Sequence, residues 1–322
     1  MTRGPRLRAA LRSRAFKLGL SAALLAALLF VTDLHQMRAA VAAADPLWLG
    51  VALLLYLGSQ LVSGARWWLL TRAVGFDASL GRVIAYYFSG IYLNLFTPGT
   101  VSGDVGRGLF LAEGSRRALA LTTVVAHRAT GFVALVWVAA AGIVGVRSLP
   151  IPFALRALAA LAVPLTLAAW LIGPRLAARL LPPGNRWRHL VERELAPYWH
   201  DHRLLGTSLA GAAVTHLMQI GGQLAVSRAL GLTLPWAFFW VVAPLLNAGG
   251  TLPFTFNGVG LREAGYWYAL SGSDVGDAPA IGIGLLTSAV VLATGLSGLP
   301  FLLLVRPRRT APAARSGPEV RP

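Results

Sequence analysis

Leu119 to Val146 reads LALTTVVAHRATGFVALVWVAAAGIVGV, and its only ionisable side chains are the neighbours His127 and Arg128. Wound as an α-helix it would be about 42 Å long, more than the hydrocarbon core of a bilayer at about 30 Å. Leu18 to Thr32, Leu47 to Val62 and Ile281 to Val305 are comparable apolar runs. Charged residues make up 13% of the 322-residue chain and apolar ones 56%, where a soluble domain carries about 25% charged residues. So little charge cannot cover a surface facing water. The expected fold class is therefore all-α integral membrane, with about six transmembrane helices plus two re-entrant helical hairpins arranged as an inverted repeat.

The formal net charge is +17, but the arginines fall in short segments between apolar runs instead of forming a basic face. That distribution argues against nucleic acid and for cytoplasmic loops beside anionic headgroups. The chain has no cysteine, so disulfides and thiolate metal sites are excluded, and no cofactor is implied. Arg3 to Lys17 precede the first apolar run, which reads as a membrane anchor because Asp33 to Arg38 is a poor cleavage site for a signal peptide. Counting Lys and Arg places both termini in the cytoplasm, with Arg66, Arg72, Arg82, Arg116 and Arg117 marking returns to that side. The expected location is the cell (inner) membrane. Trp67, Trp68, Tyr86, Tyr87, Trp236 and Trp240 are expected near the membrane interfaces.

These readings divide the chain into a basic cytoplasmic N-terminus (1–14), a transmembrane domain (15–305) and a disordered cytoplasmic tail (306–322). The domain splits into half 1, about 15–146, and half 2, about 151–305, with the main cytoplasmic loop at 173–203. Each half reads as span, span, hairpin, span, in opposite orientations. The hairpin tips are Thr97 to Arg107, TPGTVSGDVGR, and Pro253 to Glu263, PFTFNGVGLRE. Aligned on Pro98 and Pro253, they share Thr100 with Thr255, Gly103 with Gly258, and Arg107 with Arg262.

Proline and glycine free backbone groups, which a membrane tolerates only inside protein or beside a water-filled cavity. Helices restarting after Gly103 and Gly258 would present N–H groups and a positive dipole end there. Arg107 and Arg262, about one turn further on, would add the bidentate fork that suits a phosphate. Gly103, Gly258, Asn257, Thr100, Thr255, Asp104 and Glu263 complete the candidate headgroup site. Asp104 and Glu263 are each read either as a half-helix cap or as a ligand for a cationic headgroup. Structural ion pairs, Asp104 with Arg107 and Glu263 with Arg262, are the plainer alternative. His127, Arg128 and His216 lie deep in apolar spans and suit a proton relay or an internal ion pair, with Asp104 or Glu113 as partner for Arg128. For the histidines the alternative is a hydrogen-bonded ring packed between helices. Gln60, Asn94, Gln219 and Asn247 either line the same cavity or bond helix to helix.

Arg66-Trp67-Trp68-Leu69-Leu70, Thr97 to Arg107, His127-Arg128-Ala129-Thr130-Gly131 and Pro253 to Glu263 resemble the flippase-like transmembrane domain of the lysylphosphatidylglycerol synthase family. The resemblance spans roughly residues 15 to 305. It implies a protein that handles membrane lipids, and in the family's best-known members one that moves an aminoacylated phospholipid between leaflets. Those members also carry an aminoacyl-transferase domain, for which nothing after Val305 suffices here. The expected activity is translocation of a phospholipid or other anionic-headgroup lipid. Anionic or aminoacylated phospholipids and polyprenyl-linked lipids are the candidate substrates. A separate lipid-modifying synthase and a second copy of the chain are candidate protein partners. The alternative is an enzyme, or an enzyme's partner, in lipid-linked sugar or headgroup metabolism.

Overall fold

A computed structural model of the protein describes residues 34–95, 101–112, 116–251 and 258–305, and every regular element among them is helical. The long elements are α1 (Leu34–Ala42), α2 (Pro46–Ala73), α3 (Leu80–Asn94), α4 (Val101–Leu111), α5 (Arg117–Gly145) and α6 (Phe153–Leu180). Short turns follow, α7 (Arg186–His189), a π-helical turn (Leu190–Glu194) and α8 (Ala196–His200). The chain continues through α9 (His202–Ala229), α10 (Trp236–Thr251), α11 (Leu261–Leu270), α12 (Asp277–Leu296) and α13 (Leu299–Leu304).

Four stretches among the described residues are long and apolar enough to cross a membrane: Pro46–Ala73, Arg117–Gly145, Phe153–Gly173 and Asp277–Leu304. The expected first span, Leu18 to Thr32, lies wholly outside the described residues. α9 has the length, 28 residues, but is more polar, because much of its surface meets protein instead of lipid. It packs along α2, where glycines allow close approach. A Cβ on Gly222 would lie 2.7 Å from the Tyr56 ring, and one on Gly58 2.6 Å from Met218. α6 is the opposite case. Leu158, Leu161, Leu165 and Leu171 are exposed on it, as befits a helix whose outer face meets lipid.

Around α2 and α9 the remaining contacts come in matching pairs. α2 packs on α3 as α9 packs on α10. α3 packs on α4 as α10 packs on α11, and α4 on α5 as α11 on α12. α5 also meets α6 and α10, as α12 meets α1 and α3. α3, α4, α10 and α11 contain 15, 11, 16 and 10 residues, about 15 to 24 Å of helix each. None is long enough to cross a core of about 30 Å by itself.

Helix ends are closed by side chains that the sequence reading assigned to loops or left aside. Asp45 accepts from Leu47 N at 2.8 Å and Asp201 from Leu204 N at 2.9 Å, capping α2 and α9. Arg116 donates to the Val74 and Gly75 carbonyls at 2.8 and 3.0 Å. Arg156 donates to those of Ile143 and Val146 at 3.0 and 2.8 Å. Both arginines satisfy carbonyls that a helix end leaves open.

Several boundaries differ from the sequence reading. The expected loop 173–203 is largely helical: α6 runs on to Leu180 and short turns fill the rest. It is also anchored, since the buried Tyr198 donates its hydroxyl to the Leu70 carbonyl at 2.9 Å. α1 (Leu34–Ala42) stands between the expected apolar runs Leu18 to Thr32 and Leu47 to Val62. The last span breaks at Ser297 and Gly298, where a Cβ on Gly298 would overlap the Phe88 carbonyl. Trp67, Tyr86 and Tyr87 are buried in the protein core, so they do not present their rings to lipid or water.

A cationic cavity between the helix pairs

α4 begins against α3. Gly103 N donates to Asn94 Oδ1 at 2.8 Å, and a Cβ on Gly90 would stand 2.8 Å from the Gly103 carbonyl. Glycine at both places lets the two helices touch backbone to backbone, and this sets the position of Arg107 two turns into the pair. Its guanidinium lies 4.7 Å from the centre of the Trp67 ring and 5.0 Å from that of Tyr87, both favourable cation–π distances. Nη2 is 2.9 Å from Asp104 Oδ1 and 3.3 Å from His127 Nδ1. Asp104 also pairs with Arg128 Nε, so this carboxylate holds two arginines at once.

His127 stands between Arg107 and a further arginine. Its Nε2 lies 2.8 Å from Arg66 Nη2 and 3.1 Å from the Ser63 carbonyl. Arg66 also donates to Thr130 Oγ1 at 3.1 Å, and Thr130 accepts from Ser208 Oγ at 3.2 Å. A neutral imidazole carries one N–H. With Nε2–H donated to Ser63, Nδ1 accepts from Arg107. With the proton on Nδ1, Nε2 accepts from Arg66. The ring thus serves as acceptor to one guanidinium at a time.

The second motif is arranged differently. Glu263 is wholly buried and caps its own helix: Oε2 accepts from Gly260 N at 2.6 Å, and Oε1 accepts from Ser288 Oγ at 2.8 Å. A Cβ on Gly284 would collide with the Glu263 backbone, so α12 is pressed against this cap. Arg262 folds back over Gly258, whose positive φ of 82° suits glycine.

These elements border an open cavity of about 670 Å³. Arg107 and Arg262 both line it, together with Asp104, His127, Arg128, His216, Gln60, Asn94, Gln219 and Asn247. The structure therefore brings the arginines of both motifs to one chamber. Glu263 is not among the lining residues, and Gly103 and Gly258 support the walls as close-approach points. His216 lies 3.0 Å through Nε2 from the Gly131 carbonyl. Thr100, Glu113, Thr255 and Asn257 lie outside the described residues.

Arg66 corrects the sequence reading. The charge count makes it a marker of a cytoplasmic return, whereas it is 5% exposed inside α2 and lines the cavity. The signal was present in Ser63, Arg66, Trp67 and Leu70, whose spacing puts them on one helix face. Counting arginines between hydropathy-defined runs cut the helix at Val62 and missed it. A second, smaller cavity of about 230 Å³ adjoins Arg262 and is lined by Leu95, Val259, Ser288 and Leu292 among others.

A bundle of apolar helices around a cavity lined by the buried Arg66, Arg107 and Arg262 and the more exposed Arg128 defines a helical membrane protein with a polar site among its helices. Its kinship is narrower still. The family model described as the lysylphosphatidylglycerol synthase TM region matches residues 15–309, and the chain belongs to that family. Membership associates it with the handling of membrane lipids. No curated protein matches the chain.

Proposed function

We propose that the protein moves a lipid with an anionic headgroup between the leaflets of the cell membrane, the headgroup passing through the cavity while the acyl chains stay in lipid. The observation that carries this reading is the charge of the chamber. Among the described residues its walls hold Arg66, Arg107, Arg128 and Arg262 but one carboxylate, Asp104. Guanidinium groups surrounded by apolar helices are costly unless an anion or water compensates them, and the arginine fork matches phosphate oxygens. The short pairs α3 with α4 and α10 with α11 act as two re-entrant hairpins, whose expected tips, 98–103 and 253–258, lie largely outside the described residues. The paired contacts around α2 and α9 support an inverted repeat of the two halves. Six spans and cytoplasmic termini complete the arrangement, and His127 and Arg128 serve as the internal relay that responds when Arg107 engages a headgroup.

Reconstitution in liposomes with a fluorescent anionic phospholipid tests the proposal. Arg107→Ala and Arg262→Ala are expected to abolish lipid movement while the protein remains monodisperse. Wild-type rates in both variants would overturn it.

A further inference from the structure

The cavity's charge balance narrows the substrate class. Four arginines against one aspartate leave the described lining with a formal charge of +3 when both histidines are neutral. That aspartate is already engaged by Arg107 and Arg128. Six other carboxylates among the described residues lie outside that lining: Asp45 and Asp201 cap helices, and Asp277 accepts from Trp267 Nε1. Glu192 pairs with Arg188, Asp77 lies beside Arg72, and Glu263 is buried in its own cap. An ammonium can instead be received by aromatic faces; of those lining the cavity, Tyr87 already carries the Arg107 guanidinium, and Tyr56 and Phe132 share the chamber with the four arginines.

We infer that the site selects a lipid phosphomonoester or diphosphate, with two or more negative charges and no ammonium, over both a phosphodiester and an aminoacylated headgroup. The inference rests on the headgroup reading given above and adds the chemistry of the head. A phosphodiester supplies one negative charge against the formal +3 of the described lining. A phosphomonoester supplies about 1.5 to 2 near neutral pH and offers three terminal oxygens to guanidinium forks on separate helices, α2, α4, α5 and α11. An aminoacylated phosphatidylglycerol adds ammonium charge to a chamber that already has a surplus, and like charges at close range in a low-dielectric interior repel strongly. The same terminal phosphate chemistry occurs in soluble phosphate and pyrophosphate, so the source needs its own arm in the test.

The measurement is equilibrium binding to the full chain in phosphatidylcholine nanodiscs. Phosphatidic acid, phosphatidylglycerol and lysylphosphatidylglycerol with identical acyl chains compete against a fluorescent phosphatidic acid. Phosphatidic acid is expected to bind about tenfold or more tighter than phosphatidylglycerol, with the lysyl lipid weakest. Arg262→Gln is expected to reduce the gap between the first two. Equal affinities, tightest binding by the lysyl lipid, or no saturable binding of any of the three would each overturn the inference. Displacement by inorganic pyrophosphate at the affinity of the lipid would assign the site to a soluble anion and overturn the lipid assignment. Binding in the expected order without movement across a bilayer sinks the translocation reading alone, whereas movement of all three lipids with equal affinities sinks the selectivity alone.

Discussion

Arg107 and Glu263 show how similar sequence contexts acquire different duties. Arg107 contacts Asp104, His127, Trp67 and Tyr87 through one planar group. Lysine retains the charge but cannot reproduce the fork or stack across two rings. Arg107→Lys is therefore expected to slow lipid movement about tenfold or more in liposomes with little change in melting temperature. Glu263 touches no cavity, yet its carboxylate closes the first turn of α11 and binds Ser288. Glu263→Ala leaves buried donors unmet, and melting in detergent is expected to show a loss of about 1 to 3 kcal/mol. The sequence left Glu263 open between cap and ligand, because a carboxylate beside a helix start suits both. Its neighbour on α12 distinguishes the two and is distant in the chain.

Among the elements, the close pairing of α3 and α4 depends on the absence of side chains at two points. A Cβ on Gly103 would overlap the Gly90 carbonyl and Asn94. Gly103→Ala is expected to destabilise the fold by about 1 to 3 kcal/mol through overpacking. Gly50→Ala is the control, since nothing lies within 4 Å of its Cβ position, and helix propensity there favours alanine by up to about 1 kcal/mol. Comparing the two melting temperatures checks both. The segment after α6 has its own anchor in Tyr198, whose phenol is pushed well above its ordinary value by burial. Its contribution is full below about pH 10, the phenol's unperturbed value, and is lost as pH rises through the raised folded value. Tyr198→Phe is expected to cost about 1 kcal/mol at neutral pH and to flatten the alkaline fall in stability.

At the scale of the whole molecule, movement between the halves is the mechanism to test. Phe88 on α3 and Phe301 on α13 have ring centres 5.0 Å apart and join the first half to the second. The chain has no cysteine, so a Phe88→Cys, Phe301→Cys pair can be bridged by a cleavable bis-maleimide, whose spacer tolerates a range of separations, without competition from other thiols. Crosslinking is expected to stop lipid movement and reductive cleavage of the spacer to restore it, whereas unchanged rates in the crosslinked protein would show that this contact does not open. Single cysteines at Asn185 and Ser273 are expected to label from opposite sides of the membrane. The membrane class, the helical character, the family and the two glycine and arginine motifs were legible in the sequence alone. Apolar length, missing charge and short-range spacing are properties of local chain, and they survive without knowledge of neighbours. Tertiary structure alone decided that Arg66 belongs to the cavity, that Trp67 and Tyr87 lie under Arg107, and that Glu263 is a cap. Each of these depends on which helix is packed opposite. A buried guanidinium and a loop guanidinium look identical until that partner is known.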